Sequence, residues 1–308
     1  MWRIGDEVEV HAQVRGGAED ELLGTVVIED LDGIVRHLPP GGGANGPRSP
    51  MTQFLLQAAV SEMSKRLAQG PAPRVDEDAA PNHDAAVARV MSTLVGHEPF
   101  VTNTLGLSVH QMRRRWPVAG DWYADLVRYV LRSTRSDICD RIRSDEEQWL
   151  SLDLGEFISL AVTLRWSSYR HPELLGLAQT IRSLWPAYEP VIDATHDGEA
   201  GMARWGPFIT HLLSRFGLRL RPGVSIGEIL WSFDALASTE EQRARSRRAS
   251  ILFAEVSDEA PGGRDYPYPA RAVMLVLAGA LVDEDGQPVP LDELYRRRAR
   301  PTSHLATE

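Results

Sequence analysis

Two hydrophobic periods run along this chain, and they change over once. Across residues 1–40, Val8, Val10, Ala12 and Val14 alternate with Glu7, Glu9, His11 and Gln13. This is the period of a half-buried strand. Gly16-Gly17 predicts a turn, Gly24 to Ile28 a second strand, and Asp32-Gly33 a hairpin turn into a third, Ile34 to Arg36. Residues 1–40 are therefore read as a small β-meander. A second reading stays open, in which Val35 to Pro39 is the end of a helix.

From residue 41 the spacing becomes helical. Residues 41–83 hold a glycine-rich loop, a helix opened by Ser49-Pro50 with Met51, Phe54, Leu55 and Ala58 inward, and a Pro/Ala/Asp linker. Residues 84–135 form the next block. Asp84 opens a helix through Gly96, with Val87, Val90, Met91 and Leu94 on one stripe. A short helix around Phe100 to Leu105 follows, then Gly106, which supplies the left-handed backbone of a tight turn. Ser108 is placed to cap a second short helix, which carries His110, Gln111 and Arg113 to Arg115 and stops at Trp116-Pro117. Asp121 opens a longer helix with Tyr123, Leu126, Val127, Val130 and Leu131 inward.

Helix, glycine turn and polar-basic helix spell a helix-turn-helix, whose second helix can enter the DNA major groove. Residues 137–308 read as helices throughout, with no strand pattern. The fold class expected is mainly all-α: a helix-turn-helix head, a helical-bundle body and the N-terminal β-meander.

The block Gly106-Leu107-Ser108 to Arg113-Arg114-Arg115-Trp116-Pro117, with its flanking helices, resembles the DNA-binding head of tetracycline-repressor (TetR) family regulators. The resemblance covers about 50 residues, and its motifs are of moderate specificity. Arg113 stands where the family has a phosphate-touching tyrosine, and Thr102, Asn103 and Thr104 weaken the first short helix. More loosely, Gly217 to Val224 and Arg165 to Pro172 are similar to junctions of the family's ligand-binding body. The resemblance implies a dimer formed by late helices, operator DNA as partner and a small-molecule effector held between helices. The DNA-binding set it implies is Ser108, His110, Gln111, Arg113, Arg114 and Arg115, with Arg114 and Arg115 facing outward. An alternative from another class is an interaction protein derived from a regulator that has lost DNA binding.

Charge sharpens the first reading. The chain carries a net charge of -10, yet Val101 to Arg135 holds six arginines against Asp121 and Asp125. A basic window inside an acidic chain is what a local DNA reader shows. The aromatic residues of the body, Trp166, Tyr169, Trp205, Phe208 and Trp231, are candidate lining for an apolar effector. Cys139 stands alone, so no disulfide or cysteine zinc cluster is expected. Asp193 and His196 could share a helix face, but no second ligand pair completes a metal site. No nucleophile elbow or phosphate loop is present. The reading is of a non-enzyme with no cofactor and no metal. The longest apolar run, 272–282, falls short of the roughly 20 residues a bilayer needs, and the first residues lack a signal-peptide pattern. A cytoplasmic location without membrane contact is expected.

Overall fold

A computed structural model describes residues 2–38, 43–69, 83–132, 138–168, 174–245 and 266–300. The chain is mostly helical and divides into two compact units. Unit 1 comprises Met1–Thr134 and Glu173–His196, and unit 2 comprises Arg135–Pro172 and Asp197–Glu308.

Unit 1 begins with an antiparallel hairpin, β1 (Glu7–Gln13) and β2 (Asp20–Val27). The alternation works as expected: Val10, Ala12 and Val26 are buried while Glu9, His11 and Gln13 face water. The expected third strand does not form. The N–H groups of Ile34 and Val35 close a tight turn onto the Leu31 carbonyl. Those of Arg36 and His37 donate to the Asp125 carboxylate at 2.9 and 3.0 Å, so they have no strand to pair with. Neither is Ile34 to His37 helical.

The sheet is not a separate module, because it packs on α1 (Pro50–Gln69) and shares one hydrophobic core with the helices that follow. These are α2 (His83–Val95), α3 (His97–Pro99), a π-helical turn (Phe100–Thr104), α4 (Val109–Arg113) and α5 (Ala119–Leu131). The boundaries drawn at residues 40 and 83 thus cut through continuous packing, whereas the chain passes into unit 2 at Arg135, beside the boundary drawn there. α9 (Leu175–Leu184) closes unit 1 against α5 and is contributed by a segment expected to lie wholly in the body.

α5 is the centre of this unit. Its predicted stripe is buried, and so are Trp122, Asp125, Arg128 and Tyr129 from the rest of its circumference. The Trp116 and Trp122 rings meet edge to face with centroids 4.7 Å apart, the arrangement their quadrupoles favour. Asp125 has no exposed surface. It accepts from Trp116 Nε1 at 2.9 Å and pairs with His37 Nδ1 at 2.8 Å, besides the two backbone donors.

Unit 2 contains α6 (Ile138–Ser144), α7 (Glu146–Leu150), α8 (Leu154–Ser168), α11 (Ile226–Arg245), α12 (Tyr268–Ala280) and α13 (Leu291–Arg296). The helix α10 (Glu189–Arg215) runs unbroken through Gly198, Gly201 and Pro207. Val191 enters the core of unit 1 and Phe208, Leu212 and Phe216 that of unit 2, so packing at both ends outweighs the weak helix formers between them.

Ser225 and Glu228 form a capping box at the start of α11. Ser225 N–H donates to Glu228 Oε2 at 2.7 Å and Glu228 N–H to Ser225 Oγ at 3.2 Å. These bonds hold the Glu228 carboxyl below the usual carboxylate range.

The expectation that residues 137–308 hold no strand is corrected. Unit 2 contains strands: β3 (Leu218–Leu220) pairs with β4 (Leu281–Asp283), each too short to leave a period in the sequence. Within the apolar segment from Ala270, Leu275 is exposed on α12. The basic C-terminal run is docked at Arg297. Its guanidinium donates to the carbonyls of Phe216 and Gly217, beyond the end of α10, at 3.0 and 3.2 Å. A cation is favourable at that pole of a helix.

Candidate nucleic-acid interface

The segment from His97 to Trp116 is two short helical pieces joined by a glycine turn. Gly106 has φ +69, the left-handed conformation its place in the sequence predicts. Its surroundings add a second demand, because a Cβ there would lie 3.1 Å from Val14 Cγ1. Gly106→Ala is expected to destabilise unit 1 by about 1–3 kcal/mol through backbone strain and this contact. A urea titration checks it, and a change within experimental error would show that the turn is not held in this form.

Ser108 stands at the N-cap of α4 with extended backbone, and its Oγ accepts the His110 N–H at 3.4 Å. Leu107, Met112 and Trp116 are fully buried and fix the inner side of α4. His110, Arg113 and Arg114 are exposed, with Gln111 half-buried.

The three arginines have three different surroundings. Arg114 faces water and makes no ion pair among the described residues. Arg113 is held by Glu98 of α3, with Nε donating to Oε1 at 2.7 Å and the second nitrogen at 2.6 Å. Arg115 is turned inward and only 3% exposed, which corrects its expected outward placement.

Helical geometry explains the difference. Arg115 lies one turn beyond Gln111, on the side of α4 that meets the loop ahead of α1. Its guanidinium donates to the carbonyls of Ala44 and Gln111 at 3.0 and 2.8 Å, to Thr52 Oγ1 at 3.0 Å and to Gln111 Oε1 at 3.1 Å. Burial, followed by the charge of Arg114, lowers its pKa to about 10. It remains cationic at neutral pH but is not available to DNA.

His97 braces the same segment from behind, its Nε2 lying 2.7 Å from the Trp116 carbonyl. That contact requires Nε2 to carry its proton and donate. Burial pushes the His97 pKa down, against smaller opposing effects of the Trp116 carbonyl and Glu98. The unfolded chain therefore binds a proton here at a higher pH than the folded chain does. Stability is full above the ordinary histidine value and declines as pH falls through it. Between pH 7.5 and 5.5 the natural chain is expected to lose more stability than His97→Gln. Equal losses in parallel thermal melts would remove His97 as the cause.

Beside α4 lies an open groove of about 530 Å³, lined by Arg15, Glu98, Thr102, Asn103, Ser108 and His110. Arg15 and Glu98 were not singled out in the sequence. Nothing in a hairpin turn predicts its contact with Gly106, and Glu98 sits 15 residues from its partner.

Of the aromatic set, the structure describes the side chains of Trp205, Phe208 and Trp231. Trp205 and Phe208 do meet, with centroids 6.0 Å apart and edge to face. Arg143 covers both, its guanidinium carbon 4.4 and 4.9 Å from the ring centres. Trp231 is 68% exposed, which corrects its place as interior lining. α11 buries Ile229, and two residues further turns the side chain by about 200° to the opposite face. Trp166 lies in α8, and its side chain and all of Tyr169 fall outside the described residues.

Asp193 is engaged by Arg36 at 2.6 Å and by Arg128 at 3.4 Å. Among the described residues no group of three or more His, Cys, Asp or Glu could hold a metal ion. The chain matches no family model, no curated protein and no solved structure. No described helix is long and apolar enough to cross a membrane.

Proposed function

We propose that the segment from His97 to Trp116 is a helix-turn-helix that docks duplex DNA, with α4 in the major groove, and that the protein is a TetR-like transcriptional regulator. The observation that carries this reading is the turn itself. A left-handed Gly106 and the Ser108 cap set α4 at the surface, with Leu107, Met112 and Trp116 inward and His110, Arg113 and Arg114 outward.

Ser108, Arg113 and Arg114 are the phosphate-side groups of this face, and His110 and Gln111 the base-side groups. Gln111 has its Oε1 taken by Arg115. Its amide N–H groups are what it offers, so it favours base acceptors over the two-atom pairing a free glutamine makes with adenine. Such a site engages few phosphates, because Arg115 serves the fold and Arg113 must first leave Glu98.

Removing Glu98 frees Arg113 and takes a negative charge from the groove. Glu98→Gln is therefore expected to tighten binding to a pool of random duplexes by about three- to tenfold at low salt. Weaker binding by this variant would show that Glu98 orders Arg113 for its contact instead. The reading itself is tested by the salt dependence of binding to that pool. Affinity is expected to fall linearly on a double-logarithmic plot, and a flat dependence or absent binding would favour an interaction protein that does not use DNA.

Two corollaries belong to the reading. Helix-turn-helix proteins place two heads at half-sites about 34–36 Å apart, so a homodimer is required. Light scattering that finds a monomer on a selected duplex would contradict it. A small-molecule effector that contacts Trp205 and Phe208 would have to displace Arg143 from their faces.

A further inference from the structure

We infer that Arg15, on the loop between β1 and β2, is a phosphodiester contact of the same face, so that the N-terminal hairpin takes part in holding DNA beside α4. This rests on the DNA reading of α4. Three observations place Arg15 there.

The first is a backbone clamp. Arg15 N–H donates to the Gly106 carbonyl at 2.7 Å, and Val14 pairs with Leu107 as an isolated antiparallel bridge. The hairpin is therefore fastened to the very turn that sets α4. The second is the corner on which Arg15 stands. Gly17 N–H donates to the Val14 carbonyl at 3.0 Å, and Gly16 has φ +88. A β-turn with a positive φ at its third residue fixes the backbone and turns the second residue, Arg15, to the outside. The third is the groove. Arg15 lines it together with Thr102, Asn103, Ser108 and His110.

The charges in that groove favour an anion. Its one carboxylate, Glu98, is already matched by Arg113. Arg15 is exposed and makes no ion pair among the described residues. The hydroxyls and amide around it are groups that hydrogen-bond phosphate oxygens. The rest of the loop, with Glu19, Asp20 and Glu21, is acidic and would repel a nucleic-acid backbone. Contact is thus confined to the Arg15 corner, one phosphate wide. The arrangement gives the hairpin a reason to be docked on the turn rather than held only by α1.

The test uses the full chain and a labelled duplex selected from a random pool by the natural protein. Binding is measured by fluorescence anisotropy across a salt series for the natural chain, Arg15→Ala and Arg15→Lys. Loss of one phosphate contact is expected to reduce the steepness of the log-log salt dependence by about 0.9 in Arg15→Ala, with affinity about tenfold weaker at 0.1 M salt. Arg15→Lys is expected to keep the natural slope, since it keeps the charge. Melting temperatures should match, because the side chain is exposed. A natural slope in Arg15→Ala would overturn the assignment of Arg15 and leave that of α4 intact. An equal loss in Arg15→Lys and Arg15→Ala would also overturn it, by showing that charge is not what matters. Absent salt-dependent binding by the natural chain would overturn both readings together.

Discussion

Replacing Asp125 by alanine is expected to destabilise unit 1 by about 3–5 kcal/mol, the cost of breaking a buried hydrogen-bonded charge network. The carboxylate has no solvent contact and serves Trp116 Nε1, the backbone N–H groups of Arg36 and His37, and the His37 ring. Arg128, with a side chain 6% exposed, lies 3.7 Å away and would lose part of its compensating charge. Removal leaves buried donors without acceptors and a cavity beside Trp116. Urea unfolding followed by tryptophan fluorescence measures the effect, since Trp116 and Trp122 both lie in this core. A loss below about 1 kcal/mol would mean that these hydrogen bonds contribute no more than exposed ones.

The second large effect is expected at Arg115. Arg115→Ala should cost about 2–3 kcal/mol, because the carbonyls of Ala44 and Gln111 and the hydroxyl of Thr52 lose a charged donor they cannot replace from water. Those groups hold the loop ahead of α1 against α4. The neighbouring Arg114→Ala should cost almost nothing, since an exposed unpaired side chain stabilises little. One residue of spacing thus separates a structural cation from a surface one. Equal melting temperatures for the two variants would contradict that division.

This pair also shows where the sequence is legible and where it is not. The turn was readable: Gly106, Ser108 and the Trp116-Pro117 stop are local signals, and local signals survive folding. The hairpin of β1 and β2 was readable for the same reason, through clean alternation. The basic window was misleading. Among its six arginines, Arg115 is buried on carbonyls, Arg128 on carboxylates, and Arg132 is paired with Glu29 at 2.6 Å and laid on the Tyr129 ring. Charge counted along the chain does not reveal charge spent inside it. Partners such as Glu29, Ala44 and Asp193 lie far from these arginines in sequence, so no spacing rule finds them.

The third strand failed for a similar reason. Ile34 to Arg36 has strand-like composition, but the buried carboxylate of Asp125 captures its continuation. The docking of Arg15 on Gly106 is equally a product of tertiary contact. In unit 2 the aromatic count pointed to an interior site, whereas Trp231 faces water and Arg143 occupies the Trp205–Phe208 pair.

The DNA-docking role of α4 is tested most directly by reversing the charge at its one exposed, unpaired arginine among the described residues. Affinity for a duplex selected by the natural chain is measured for Arg114→Glu at fixed salt, beside its melting temperature. If α4 lies in the groove, affinity should fall by about 30-fold or more, since one contact is lost and a like charge is placed against phosphate. The melting temperature should not move. Unchanged affinity with an intact fold would contradict the assignment and place any DNA surface away from α4.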